Sequence, residues 1–129
     1  KRGVDVKIIV SGDHNDNALA YYNSTATWGE LLEAGAEIYS YNRTMLHHKI
    51  MVVDGLWSTI GTTNFDNRSF AHNEESNVCF FDRRLAEQLH KIFLEDLSGC
   101  KRMTCDEWTR RGVWARSQEF IASFLQDQA

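Results

Sequence analysis

His47, Lys49, Thr62 and Asn64 place an imidazole, an ammonium, a hydroxyl and a carboxamide within the stretch LHHKIMVVDGLWSTIGTTN. That set suits a phosphate ester: a nitrogen to attack phosphorus or carry a proton, and fixed donors for the phosphoryl oxygens. Taken singly, each residue has an ordinary reading. A histidine on a strand is usually polar surface or core, a lysine a solvated side chain, an asparagine a turn residue. The chemical reading rests on the whole string His-x-Lys-x4-Asp-x6-Gly-Thr-x-Asn, whose length makes it specific.

Two strands must position these groups. Residues 45–53 and 56–62 are apolar and β-branched enough to be strands, and Asp54-Gly55 between them is a two-residue hairpin signal, because a type I′ turn needs positive φ at both central positions. With that loop Val53 faces Leu56, Lys49 faces Ile60 and His47 faces Thr62. Side chains alternate along a strand, so His47 and Lys49 share a face, with Thr62 and Asn64 emerging on it. A one-residue slip would undo this pairing. His48, on the other face, reads as structural or exposed. Asp54 is five residues beyond Lys49, roughly 16 Å along an extended strand. From the residues alone, Asp54 holds the turn or pairs with a distant cation.

The string resembles the HKD motif of the phospholipase D superfamily, with its trailing Gly-Ser-x-Asn element. RGVDVKIIV, LLEAGAEIYSYN, LHHKIMVVDG, IGTTNFDNRSF and NEESNVCFFD together resemble the C-terminal half of bacterial cardiolipin synthases, and LEDLSGCKRMTCDEW continues the similarity. Asn64-Phe65-Asp66-Asn67-Arg68-Ser69 with Asn73-Glu74-Glu75-Ser76-Asn77 favours the synthase branch. The resemblance implies one active site built from two facing motifs. One histidine forms a phosphohistidine and the other serves as general acid and then base, without metal or cofactor. Carried over, the catalytic set is His47, Lys49, Asp54 and Glu75, and Lys49, Thr62 and Asn64 bind phosphate. His47 is either nucleophile or acid/base. Thr62 stands where the family usually has serine, which keeps the hydroxyl. Glu75 matches the carboxylate that orients the histidine and fixes its tautomer; Glu74 is the competing candidate.

The implied reaction transfers a phosphatidyl group from one phosphatidylglycerol to another, giving cardiolipin and glycerol. The alternatives are a phospholipase D-type phosphodiesterase, a homodimeric HKD nuclease, or a non-catalytic membrane-docking module. Only one His-x-Lys-x4-Asp occurs in the 129 residues. The expected partner is therefore the other HKD half of a longer parent, or a second copy. Lys1-Arg2-Gly3-Val4 runs directly into a strand and there is no initiating Met. We therefore read residues 1–129 as one N-terminally truncated C-terminal catalytic domain, with about 104–129 a helical tail.

Composition sets bounds. A chain of 129 residues can build one core. The net charge of −4 argues against a broad nucleic-acid surface. No apolar run is long enough to cross a bilayer, so the chain is expected to be soluble. The resemblance implies a parent at the cytoplasmic membrane, acting on a phospholipid surface. Cys79, Cys100 and Cys105 are odd in number; Cys79 is expected in the core, and Cys100-x4-Cys105 is a poor zinc spacing. Reduced thiols in a cytosolic setting follow.

Along the chain we expect a strand at 5–10, a loop at 11–17, a helix at 18–34 stopped by Gly35, strands at 36–41 and 76–82, and a helix at 83–97. The last has Leu85, Leu89, Ile92, Phe93 and Leu97 on one side. Strands alternating with helices predict an α/β/α sandwich with a mixed sheet. His14, Asp13 and Asp16 read as a solvated loop rather than a metal site. Thr104 and Glu107 are spaced for a capping box. The tail mixes Trp108, Trp114 and Phe120 with Arg110, Arg111 and Arg116; it reads as a pair of helices packed on the domain with the arginines solvated, and a lipid-facing surface is the competing reading.

Overall fold

The computed structural model describes residues 3–12, 25, 28–64 and 74–112. In chain order the elements are β1 (Lys7–Ser11), a helical segment at 28–33, β2 (Glu37–Tyr41), β3 (Lys49–Val53), β4 (Trp57–Gly61), β5 (Asn77–Phe81), α1 (Arg83–Leu97), β6 (Lys101–Met103) and α2 (Cys105–Thr109). They fall into two compact units, one of Lys1–Leu46 with Gly99–Ala129 and one of His47–Ser98. The fold class is α/β, with two three-stranded sheets, one in each unit.

The first unit has strand order β1-β2-β6. β1 and β2 are parallel, which requires a long crossover, and residues 12–36 supply it with a helical segment inside. Gly35 ends that segment as its position suggests. Its φ is +94°, its N–H donates to Leu32 O at 3.0 Å, and Ala36 N–H donates to Leu31 O at 2.9 Å. This is the paired-bond helix end that a left-handed residue permits. Central β2 carries Ile38, only 1% exposed, between Ile8 and Met103 on its two neighbours. β6 was not expected from its charged sequence; it pairs antiparallel with β2, and Arg102 pairs with Glu37 at 3.3 Å.

α2 is docked by its tryptophan. Trp108 Nε1 donates to Thr25 O at 3.0 Å, and its ring lies so close to Gly29 that a Cβ there would come within 2.3 Å. The Arg111 guanidinium sits 3.6 Å from the ring centroid. Trp108 is therefore packed, as expected, whereas Arg111, expected to be solvated, stacks on its ring. The capping box forms as the spacing predicted: Glu107 N–H donates to Thr104 Oγ1 at 3.1 Å and Thr104 N–H donates to Glu107 Oε2 at 3.2 Å.

The second unit is an antiparallel meander, β3-β4-β5, with α1 packed over β3 and β4. α1 spans the predicted 83–97. The Asp82 carboxylate accepts from Leu85 N–H at 3.0 Å and caps it. Ser58 of β4 and Ala86 of α1 are fully buried, and the Ser58 hydroxyl has no hydrogen-bond partner among the described residues. Small side chains let a helix approach a sheet closely. Ile92, expected on the packed side, is 52% exposed, because the stripe that packs follows Leu85, Leu89 and Phe93 at four-residue spacing. Cys79 is exposed rather than core. It shares a sheet face with Met51 and Thr59, while Ser58 belongs to the other face.

Three expectations lie outside the described residues: the loop residues His14, Asp13 and Asp16, the start of the helix at 18–34, and the tail beyond Gly112 with Trp114, Arg116 and Phe120. No described helix is long and apolar enough to cross a membrane.

The docking of α2 gives two expected outcomes. Trp108→Ala removes a half-buried indole and its hydrogen bond and should lower unfolding stability by about 2 kcal/mol in urea titration. Glu107 is held below its ordinary pKa of 4.5, first by the Lys101 ammonium and then by the Thr104 N–H. A depressed folded-state pKa stabilises above the ordinary value, and the contribution is lost as pH falls through the lowered one. Glu107→Gln should therefore be less stable than wild type at neutral pH and converge with it under acid conditions, as thermal melts across pH will show.

Candidate active site

The hairpin decides where the chemistry-bearing residues meet. Asp54 and Gly55 have φ of +51° and +61°, and Leu56 N–H donates to Val53 O at 3.1 Å. The expected turn is present, but the register is not the expected one. Val53 pairs with Trp57, Ile50 with Ile60 and Lys49 with Gly61. Leu56 belongs to the loop because its carbonyl is taken by Asp82 N–H at 3.1 Å, at the end of β5, and is not returned to Val53. That one added residue shifts every pair by one. Lys49 therefore does not face Ile60, and alternation alone no longer puts Thr62 on the face of Lys49.

What gathers the residues is the end of the sheet. Lys49, Gly61 and Asn77 form one cross-strand row, at the start of β3, the end of β4 and the start of β5. At ordinary strand spacing the row is about 10 Å wide. His47 lies two residues before it, Thr62 and Asn64 follow it directly, and Glu75 precedes Asn77 by two. All five sites thus collect at one end of the meander. Asp54 sits in the turn at the opposite end.

Several backbone contacts hold that end. Thr62 N–H donates to Ser76 O at 3.0 Å, and Ser76 N–H donates back to Thr62 Oγ1 at 3.0 Å. The Thr62 hydroxyl accepts there, so its own proton remains to be donated. Thr63 N–H makes a long hydrogen bond of 3.4 Å to Asn77 Oδ1. Gly61 has to lack a side chain. A Cβ would lie 2.4 Å from Ser76 O and 2.6 Å from Asn77 Cα, both backbone atoms that no rotamer change can move away. Lys49 Nζ donates to His47 O at 2.8 Å, which turns the ammonium back toward the histidine. His47, His48, Asn64 and Glu74 are exposed and Glu75 is half-buried. No group of three or more His, Cys, Asp or Glu residues that could hold a metal occurs among the described residues.

The sequence reading missed Ser76 and Asn77 as parts of this end. The signal was available in Gly61, since a glycine closing a strand beside polar residues marks close backbone approach.

A family profile described as "Cardiolipin synthase, PLD-like domain" matches residues 1–97. The chain belongs to this PLD-like family. It is 34% identical over 123 residues to a cardiolipin synthase of Listeria welshimeri, covering 95% of this chain and 25% of that protein. It is 36% identical to the major cardiolipin synthase of Bacillus subtilis, with the same coverage. The chain thus spans about a quarter of the length of these relatives. The crystal structure of Nuc, a phospholipase D family member from Salmonella typhimurium, matches with a TM-score of 0.66 over 80% of this chain and 66% of that one, at 22% identity. PLD-like domains of this family and Nuc share a fold with the present chain.

Three substitutions test the sheet end. Gly61→Ala should cost about 2–3 kcal/mol of stability, because backbone must move. Thr62→Val removes the acceptor for Ser76 N–H and should cost about 1 kcal/mol, whereas Thr62→Ser should cost much less. Urea midpoints of the three variants will rank them.

Proposed function

We propose that this chain is the C-terminal catalytic half of a cardiolipin synthase-type phosphatidyltransferase. The parent acts at the cytoplasmic membrane and transfers a phosphatidyl group from one phosphatidylglycerol to another, releasing glycerol. The observation that carries the reading is the cross-strand row Lys49–Gly61–Asn77, which gathers His47, Lys49, Thr62, Asn64 and Glu75 at one end of a sheet. Family membership and the named relatives support the lipid substrate.

In the proposed mechanism an imidazole nitrogen of one motif attacks phosphorus. The glycerol oxygen leaves with a proton from the imidazolium of the other motif, and a phosphohistidine forms. That second imidazole, now neutral, takes the proton of the incoming phosphatidylglycerol hydroxyl. The oxygen attacks phosphorus, cardiolipin departs and the first imidazole is restored. His47 supplies one of the two imidazoles. Lys49, Asn64 and the free proton of the Thr62 hydroxyl bind phosphoryl oxygens, where fixed donors gain most as charge develops. Glu75 orients His47, its half-buried position supporting it over exposed Glu74. Asp54 is given the turn, and no metal or cofactor takes part. The second histidine comes from the other HKD half of the parent or from a second copy.

The test is turnover of the full-length parent on labelled phosphatidylglycerol, with products resolved by mass. Cardiolipin plus glycerol is expected, and His47→Ala should lower the rate by about a thousandfold or more. Phosphatidic acid alone would make the parent a hydrolase, with water as acceptor. Full activity in the His47→Ala parent would overturn the assignment.

A further inference from the structure

The strand pairing of β4 stops at Gly61, yet Asn64, three residues on, must be placed accurately to meet a phosphate. Residues 62 and 63 are therefore the hinge between a rigid ladder and a functional side chain. Thr62 is tied by the exchange with Ser76. Thr63 has no strand partner, and its N–H is taken by the side chain of Asn77. Asn77 can reach because Gly61 stands between it and Lys49. Its Oδ1 lies 1.8 Å from where a Gly61 Cβ would be, so the carboxamide occupies the space that any other residue would fill. The chemistry fits an asparagine. A neutral oxygen accepts the Thr63 N–H without placing a carboxylate beside a phosphate site, and the side chain is short enough to stay in its own row.

We propose that Asn77 is a positioning residue of this site: it reaches from β5 across Gly61 to the Thr63 N–H and fixes the segment that delivers Asn64. The claim rests on the phosphatidyl-transfer reading for its effect on rate, but not for the contact itself. Asn77 acts through Thr63 and Asn64 and is not itself a catalytic residue.

The experiment uses the full-length parent with Asn77→Leu, which keeps the shape and removes the acceptor, and Asn77→Asp, which keeps both and adds charge. Asn77→Leu should lower kcat/KM about tenfold, the scale of one lost hydrogen bond, with a stability loss no larger than that of Thr62→Val. Asn77→Asp should keep kcat near wild type and raise KM, since its charge repels an anionic lipid. In an Asn64→Ala background, Asn77→Leu should cost nothing further, because the effects of coupled residues do not add. Equal costs of Asn77→Leu in both backgrounds, or a kcat for Asn77→Asp as low as for Asn77→Leu, would overturn the proposal.

Hydrogen exchange on fragments spanning residues 61–65 reads the contact independently of activity. Exchange should quicken in Asn77→Leu alone; identical exchange in all three proteins would also overturn the proposal. A parent that makes no cardiolipin but shows the quickened exchange would remove the lipid reading and leave the contact standing. The double-mutant comparison then runs on whichever phosphodiester bond that parent cleaves.

Discussion

The missing side chain at Gly61 is the constraint on which the candidate site depends. The β5 backbone comes within 2.6 Å of the place a Cβ would take, closer than real carbon atoms approach. That closeness lets Ser76 and Thr62 exchange hydrogen bonds beyond the last strand pair. It brings the Glu75 segment alongside the one that holds Asn64. It also gives the Asn77 carboxamide a place to lie. Sheet pairing alone would align three strands; the bare backbone turns their common end into a cluster.

The two units are held together by different means. In the unit with the HKD residues, the ladder, the cap at Asp82 and the close packing around Ser58 and Ala86 do most of the work. In the other, side chains dock one element on another. The Trp108 indole lies against Gly29, joined by charge pairs such as Arg102–Glu37 and Lys101–Glu107. Exposed charge pairs add little in water, so the indole and the buried Ile38 carry more of that unit's stability.

Much of this was legible in the amino-acid string, because the signals were local. The bounds of α1, the Gly35 helix stop, the Thr104–Glu107 capping box and the Asp54-Gly55 turn all follow from residue types at fixed short spacing. The motif could be seen for the same reason. The failures share a physical origin in contacts distant along the chain. Leu56 left the strand because Asp82 claims its carbonyl, and β6 is a strand because β2 has an open edge. Cys79 is exposed because α1 covers the other sheet face. Trp28, 4% exposed, was not named as core although it lies within the helix expected at 18–34. Periodicity ranks positions within an element, but it does not say which neighbour will cover them.

Asp82 shows what such distant contacts imply for engineering. Its N–H takes the Leu56 carbonyl, its carboxylate caps α1 at Leu85, and its own carbonyl accepts from Ala86 N–H at 3.0 Å. One residue therefore fastens the tip of the hairpin to the first turn of the helix. A surface loop ending in Asp-Gly would ordinarily invite an inserted tag or a split point. Here an insertion between Gly55 and Leu56 would pull the Leu56 carbonyl away from Asp82 and loosen the start of a fifteen-residue helix. The tip behaves as a clasp, and a graft is better placed elsewhere.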